Sequence, residues 1–516
     1  MSGLGRYLKN AIVLVGASLF MRSVSLFFNA YVSGKIGAEG MGLFSLVMSV
    51  YGFAVTFATS GINLAVTRLV AEAIGEGKEG EVRAVLRRSV LHALFFGGVA
   101  SLTVFLFAEQ IGVGLLGDAR TVPSLRLLAV SMLPIALSSV FSGYFIAVRR
   151  VSRNAATQLF EQGARIFLTV YGLIALAPAG LTYACLALVG GSAIAEFLSF
   201  FFLFMQYLLD RKKHMKRAPC VAREGLWGRI FHISLPVAFS AYVRSGLVTV
   251  EHILIPFCLS LGGAPRAEAL ASYGIIHSMA IPVILYPTAI SSAFSGLLVP
   301  EMAEAQARGE VRRVQYMTER ALGATLLFSM LSAGVLCASA AEIGELFYGS
   351  AEAGRYIRLM APVAVIMYLD TTVDSILKGL GYQVYSMAVN ISDSALSILL
   401  VLLFLPRMGA EGYVLVVCLA ELYNFAMSLL RLHRAVPFRA PLVRILLYPF
   451  LSVVGATMLS NLFLPYTGGA LSLTLHIAVA LMLYLGFLFL FGTVGRAEFG
   501  WLFGAFSRKK KTLAQK

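Results

Sequence analysis

Charge is what this sequence has least of. Only 13% of its 516 residues are Asp, Glu, Lys or Arg, about half the share of an ordinary soluble domain. Just 26 of those residues are acidic, against 42 that are basic. Cysteine is scarce too: Cys185, Cys220, Cys258, Cys337 and Cys418 form no CxxC pair and no metal-ligand spacing, so neither a disulfide framework nor a zinc module is expected. The four that lie in or at the ends of apolar runs read as small buried thiols. No GxxxxGK[ST] stretch occurs, which removes direct nucleotide hydrolysis. No polar segment is long enough for a soluble domain, and no cleavage site follows the first apolar run, so that run is expected to be retained.

What is present is apolar sequence in excess: 59% of residues are hydrophobic and the mean hydropathy is +0.82. Runs of about 20 apolar residues, each long enough to cross ~30 Å of hydrocarbon as a helix, recur throughout. Fourteen spans are expected, at about 10–32, 41–64, 88–109, 123–147, 156–178, 181–208, 230–255, 270–298, 320–340, 357–378, 385–406, 411–431, 443–464 and 471–494. The N-terminus and alternate loops hold 32 Lys and Arg, and the opposite loops hold six. That bias predicts both termini on the cytoplasmic side. The net charge of +16 is therefore read as topology, with no nucleic acid as partner. Clusters such as Arg211-Lys212-Lys213 and Arg508–Lys511 suit anionic lipid headgroups.

An internal repeat organises these spans. At an offset of 229, Leu69, Val70, Glu72, Gly80, Glu81, Val82 and Arg83 meet Leu298, Val299, Glu301, Gly309, Glu310, Val311 and Arg312. Arg22-Ser23 meets Arg244-Ser245 at 222, while Arg126-Leu127 meets Arg358-Leu359 and Glu161 meets Asp393 at 232. Spans 1–6 thus repeat as spans 7–12. Six is even, so the repeats run in parallel with an axis along the membrane normal. The expected fold is all-α. Six-helix bundles at 1–225 and 226–440 surround a central cavity, and 441–516 adds a helix hairpin and a basic tail.

Polar residues recur at helical spacing inside the spans. Span 1 carries Ser18, Arg22, Ser25, Asn29 and Ser33; span 2 carries Thr56, Ser60, Asn63 and Thr67. Span 5 carries Asn154, Gln158, Glu161, Arg165 and Thr169; span 11 carries Ser386, Asn390, Asp393 and Ser397. Arg244 and Glu251 share a face of span 7, Asp370, Asp374 and Lys378 share one of span 10, and Glu196 and Glu421 are further carboxylates within spans. Intramembrane charge is costly and marks pathways or relays, although Ser and Thr also hydrogen-bond between helices and Glu161–Arg165 and Asp374–Lys378 have ion-pair spacing. Arg22, Arg165 and Arg244 offer planar forks suited to phosphate. They are the candidate substrate-binding residues, with Asn29, Asn63 and His277. Glu251, Asp370, Asp393 and Glu161 are the candidates for coupling to H+ or Na+, and no other cofactor is expected.

The stretches GAEGMGLFSLVMSVYGF (37–53) and GINLAVTRLVAEA (61–73), with the fourteen-span plan, resemble the multidrug/oligosaccharidyl-lipid/polysaccharide exporter superfamily, in the branch of stage V sporulation protein B and the lipid II flippases. The resemblance implies alternating access that turns a lipid-linked, pyrophosphate-bearing saccharide across the bacterial cytoplasmic membrane. Cell-wall synthesis proteins would be further partners, and the last hairpin would hold the polyprenyl tail. It implies a cavity arginine on span 1, which Arg22 matches, and others on spans 2 and 8, which this chain lacks. That departure favours a precursor other than lipid II. The alternatives are a cation-coupled multidrug exporter of the same superfamily and a membrane glycosyltransferase. The second would need catalytic carboxylates in sizeable external loops, and here such loops reach only about 15 residues.

Overall fold

The computed structural model describes residues 3–214, 225–438, 446–463 and 468–493, and contains no strand among them. Cys220, Arg444, Arg496 and the Arg508–Lys511 cluster lie outside the described residues. The helices are α1 (Gly3–Thr59), α2 (Ile62–Gly75), α3 (Glu79–Leu106), α4 (Val122–Ala147), α5 (Val151–Leu176), α6 (Leu181–His214) and α7 (Leu226–Leu261). There follow α8 (Arg266–Tyr273), a π-helical turn (Gly274–Ala280), α9 (Ile281–Leu285), α10 (Thr288–Ala307), α11 (Val311–Ala338) and α12 (Ala340–Tyr348). The last are α13 (Ala351–Met360), α14 (Val363–Gly379), α15 (Gln383–Ala435), α16 (Tyr448–Phe463) and α17 (Gly469–Leu490).

Ten helical stretches among the described residues are long and apolar enough to cross a membrane. Two of these contain two spans each. α1 breaks at Gly37 (φ 69°) and α15 breaks at Gly409 (φ 61°), where only a residue without Cβ adopts the left-handed backbone cheaply. α13 and α14 form one further span, bent by 54° at Pro362, which has no amide hydrogen to continue the helix. Within the described residues the expected spans fall on these helical segments, the thirteenth on the short α16, which is below the length of the other candidates. The chain is an all-α, multi-pass membrane protein.

The backbone displays the repeat and corrects its register. α3 and α11 are each 28 residues long. Each follows a left-handed glycine, Gly77 (φ 70°) or Gly309 (φ 69°), whose neighbours close the same helix-ending bonds: Lys78 N to Ala73 O at 2.8 Å and Glu310 N to Ala305 O at 3.0 Å. Further on, Gly117 and Gly349 are both left-handed, as are Arg149 and Gly381. Asp118 and Ser350 are both N-caps accepting a backbone amide. Every one of these pairs is 232 residues apart. The offset of 229 read from the 69–83 stretch is therefore three residues short, because matching charged loop residues outweighed the glycine that ends the helix.

Two compact units emerge, neither continuous in sequence. One comprises Met1–Gly34, Ile275–Leu400 and Arg407–Lys516; the other comprises Lys35–Gly274 and Val401–Pro406. Span 1 thus packs with the second repeat and span 7 with the first. In the first of these units the terminal hairpin is fixed to α11: Tyr484 donates to the Leu327 carbonyl at 3.0 Å, and α16 brings Val453 against Gly334. Leu471, Met482 and Leu490 on α17 stay exposed, as lipid-facing side chains should. In the other unit, Thr249 of α7 donates to the Ser49 carbonyl at 3.0 Å. Arg229 of α7 pairs with Glu72 of α2.

Asp118 organises the turn before α4 in that second unit. Its carboxylate accepts the Arg120 amide at 3.0 Å and the Arg120 guanidinium at 2.6 Å, which also reaches Glu39 at 2.8 Å. Burial alone would raise the Asp118 carboxyl. The Arg120 donors, with the nearby Arg266 charge, outweigh it and hold the group below the ordinary carboxylate range. A depressed carboxyl contributes stability above its unfolded value, about 3.9, and loses it as the pH falls through the lower folded value. Asp118→Ala removes the cap and should cost about 1 kcal/mol near neutrality. Asp118→Asn should flatten the loss of stability below about pH 4, read as melting temperature against pH in detergent.

Candidate functional site

The second span of each repeat is broken. In span 2 the break is Ser60–Gly61, with φ of 44° and 67°; Ser60 is a fully buried non-glycine residue in a conformation that L residues seldom adopt. In span 8 the break is Tyr286-Pro287, between α9 and α10. Pro287 lacks the N–H that would close a helical bond, so carbonyls at the end of α9 need other donors.

Those donors are specific. In the unit containing span 8, the Ala289 amide turns to the Tyr286 carbonyl at 3.3 Å, leaving the Leu285 carbonyl to side chains. It accepts from Arg22 Nη1 at 2.6 Å and from the Thr288 hydroxyl at 2.6 Å, and Arg22 Nη1 also reaches that hydroxyl at 2.5 Å. The next carbonyl back, that of Ile284, accepts from Tyr368 of α14, whose ring is fully buried. Ser23 meets the Tyr286 hydroxyl at 2.8 Å. Asn29, two turns along span 1, donates to the Ser278 carbonyl within the π-helical turn, and π-turns of this kind recur at functional sites. His277 is in the same turn. Span 1 is therefore laced to broken span 8 by Arg22, Ser23 and Asn29.

The other unit has its own version. Around the Ser60–Gly61 break, Tyr242 of α7 meets the Ser60 hydroxyl at 2.5 Å and donates to the Phe57 carbonyl at 3.5 Å. Arg244, the counterpart of Arg22, is exposed on the same helix. In both units the helix that braces the broken span is the first of the opposite repeat.

The remaining candidates separate into groups. In the unit holding α14 and α15, Asp374 pairs with Lys378 at 2.5 Å, as its spacing predicted. Glu421 lies close enough to Asp370 and Asp393 to interact with both charges. In the other unit, Arg165 pairs with Glu161 at 2.6 Å, so its charge is already answered within one helix. Asn63 donates to the Ser139 carbonyl at 3.1 Å, and Glu251 lies half-buried on α7. Among the described residues, no three His, Cys, Asp or Glu side chains converge as metal ligands. Sequence reasoning missed Thr288, Tyr368 and Tyr242, although Pro287 within an apolar run was a visible sign that span 8 must break there.

Residues 7–306 match the family model for polysaccharide biosynthesis proteins. The chain belongs to that family. The chain is 26% identical to stage V sporulation protein B of Bacillus subtilis strain 168, over 80% of either chain. It is 21% identical to the lipid II flippase MurJ of the same organism, over 92% of this chain and 93% of that one. Among solved structures, the lipid II flippase MurJ in an inward closed conformation superposes with a TM-score of 0.72 at 16% identity, covering 92% of this chain and 98% of that one. The chain thus has the fold of the exporter superfamily that its motifs resemble, in the flippase-like branch.

Proposed function

We propose that this chain is a flippase moving a polyprenyl-pyrophosphate-linked saccharide across the bacterial cytoplasmic membrane by alternating access, with both termini cytoplasmic and no bond-making step of its own. One observation carries the reading. Among the described residues Arg22 spends a single nitrogen, Nη1, on the Leu285 carbonyl and the Thr288 hydroxyl, which leaves Nη2 and Nε of a planar cation for a guest. A pyrophosphate is the guest such a fork suits, since two parallel charge-assisted bonds repay the cost of keeping the charge within a span. The likeness to a lipid II flippase supports a lipid-linked anion. The absence of arginine from spans 2 and 8 favours a different saccharide on the same carrier.

Arg22 and Arg244, each in its own unit, are the candidate anion-binding residues in this reading. Asn29 and His277 in the first unit and Asn63 in the other are the candidate polar residues for the sugar. Arg165 is held by Glu161 and serves the anion less directly. Glu251, Asp370 and Asp393 are candidates for H+ or Na+, which biases the cycle only through different affinity for its two states. Lipids and cell-wall synthesis proteins would be its partners.

The test is reconstitution in vesicles with fluorescent lipid-linked substrates. A polyprenyl-pyrophosphate saccharide should cross at least tenfold faster than its dephosphorylated analogue, a difference of about 1.4 kcal/mol or more. Equal rates with and without the pyrophosphate, together with export of cationic dyes, would establish the drug-exporter reading instead.

A further inference from the structure

A second polar cluster lies inside the unit that contains Lys35–Gly274, and its span 2 member, Tyr51, precedes the Ser60–Gly61 break by nine residues. Four helices supply it. Tyr51 comes from α1 beyond its kink, Ser131 from α4, Glu161 and Arg165 from α5, and Glu196 and Ser199 from α6. Tyr51 donates to Glu196 Oε1 at 2.6 Å, with the Ser131 hydroxyl 3.4 Å away. Arg165 Nη2 lies 2.6 Å from Glu161 Oε1 but 3.9 Å from Glu196 Oε1. Ser199 occupies the other oxygen of Glu161 at 2.9 Å.

The charges in this cluster do not balance. One guanidinium faces two carboxyl groups, and among the described residues Tyr51 is the only other titratable group facing Glu196. Glu161 has Arg165 on one oxygen and Ser199 on the other, so it is fully compensated. Glu196 Oε1 takes its hydrogen bond from a neutral phenol, with the shared Arg165 cation 3.9 Å away. Its side chain is 12% exposed, and Oε2 is buried with no hydrogen-bond partner among the described residues, as is Arg165 Nε. A carboxylate so placed within a span leaves an uncompensated charge, which costs several kcal/mol. A proton on Oε2 removes that charge and leaves the Tyr51 bond intact.

We propose that Glu196 is a proton-binding site of this chain, loaded in the arrangement described here and emptied when Arg165 closes the 3.9 Å gap to it. The exchange is balanced: one proton binds Oε2 from water and the same proton returns to water, while Arg165 shifts from Glu161 toward Glu196. The site goes beyond the proposed function, since a flippase could run without it and a proton could bind here whatever the cargo.

Infrared spectroscopy of the full chain in lipid nanodiscs tests this without any transport measurement. The protonated carboxyl of Glu196 should give a C=O stretching band that is lost in Glu196→Gln, a nearly isosteric change. In Tyr51→Phe the band should persist at higher frequency, because its carbonyl no longer accepts the phenol hydrogen. If the carboxyl bands are unchanged in both variants while both melt as the parent does, the site is refuted. If Glu196→Gln unfolds the protein, the Tyr51→Phe shift decides alone.

Discussion

Arg22→Ala should lower the rate of lipid-linked saccharide transfer about 10- to 100-fold per folded molecule, since a hydrogen bond to a charged group contributes roughly 1.5–3 kcal/mol. Arg22→Lys should recover only part of the loss, because a point charge cannot replace the planar fork. Combining Arg22→Ala with Arg244→Ala should bring transfer close to that of empty vesicles. The expectation has a built-in complication, because Arg22 also satisfies the Leu285 carbonyl. Removing the side chain leaves that carbonyl with Thr288 alone and should cost about 1–3 kcal/mol of stability. Thr288→Val separates the two roles. It removes the hydroxyl from the same carbonyl and keeps the guanidinium, so it should lower the melting temperature while transfer stays within about threefold, under the 1.4 kcal/mol that a tenfold change requires. If Arg22→Ala melts early yet transfers at the parental rate per folded molecule, Arg22 is a brace and the anion is bound elsewhere.

The apolar spans were legible because hydropathy and loop charge report on the bilayer, which acts on every residue of a span alike. Hydropathy is blind to hydrogen bonding. It passes smoothly over Tyr286-Pro287 and Ser60–Gly61, where the backbone leaves the helix, and only Pro287 could have signalled a break. The Glu161–Arg165 pair was readable because four residues make one helical turn. The Tyr51–Glu196 bond was not, since 145 residues separate its partners. The exchange of spans 1 and 7 between the units was equally hidden. It depends on which carbonyls a broken helix leaves open and which neighbour can reach them, and neither is written in the order of apolar runs. Arg22 shows both limits. Its position and polar stripe were visible, but its acceptors are the Leu285 carbonyl and the Thr288 hydroxyl, more than 260 residues away.

Replacing Gly42 with leucine should abolish the folded protein, whatever it carries. In the Lys35–Gly274 unit, span 2 and the start of span 8 cross backbone to backbone. A Cβ on Gly42 would overlap the Leu270 carbonyl, and one on Gly274 would overlap the Ala38 carbonyl and meet the Gly42 amide nitrogen at 2.6 Å. Ala38 and Gly42 are four apart on one helix, and Leu270 and Gly274 are four apart on the other, so a single turn of each forms the contact. Small residues at such spacing let membrane helices approach closely and gain packing where no hydrophobic drive operates between them. The obstacle to any larger side chain is backbone on both sides, which cannot rotate away as a side chain can. Overpacking in cores typically costs 1–3 kcal/mol, and more where neighbours cannot move. A total stability of about 5–15 kcal/mol leaves little margin for that. Gly42→Ala should therefore lower the melting temperature measurably in detergent, and Gly42→Leu or Gly274→Leu should leave no monodisperse protein on size exclusion. Recovery of a Gly42→Leu protein with the parental melting temperature would mean that the two helices do not cross at this turn.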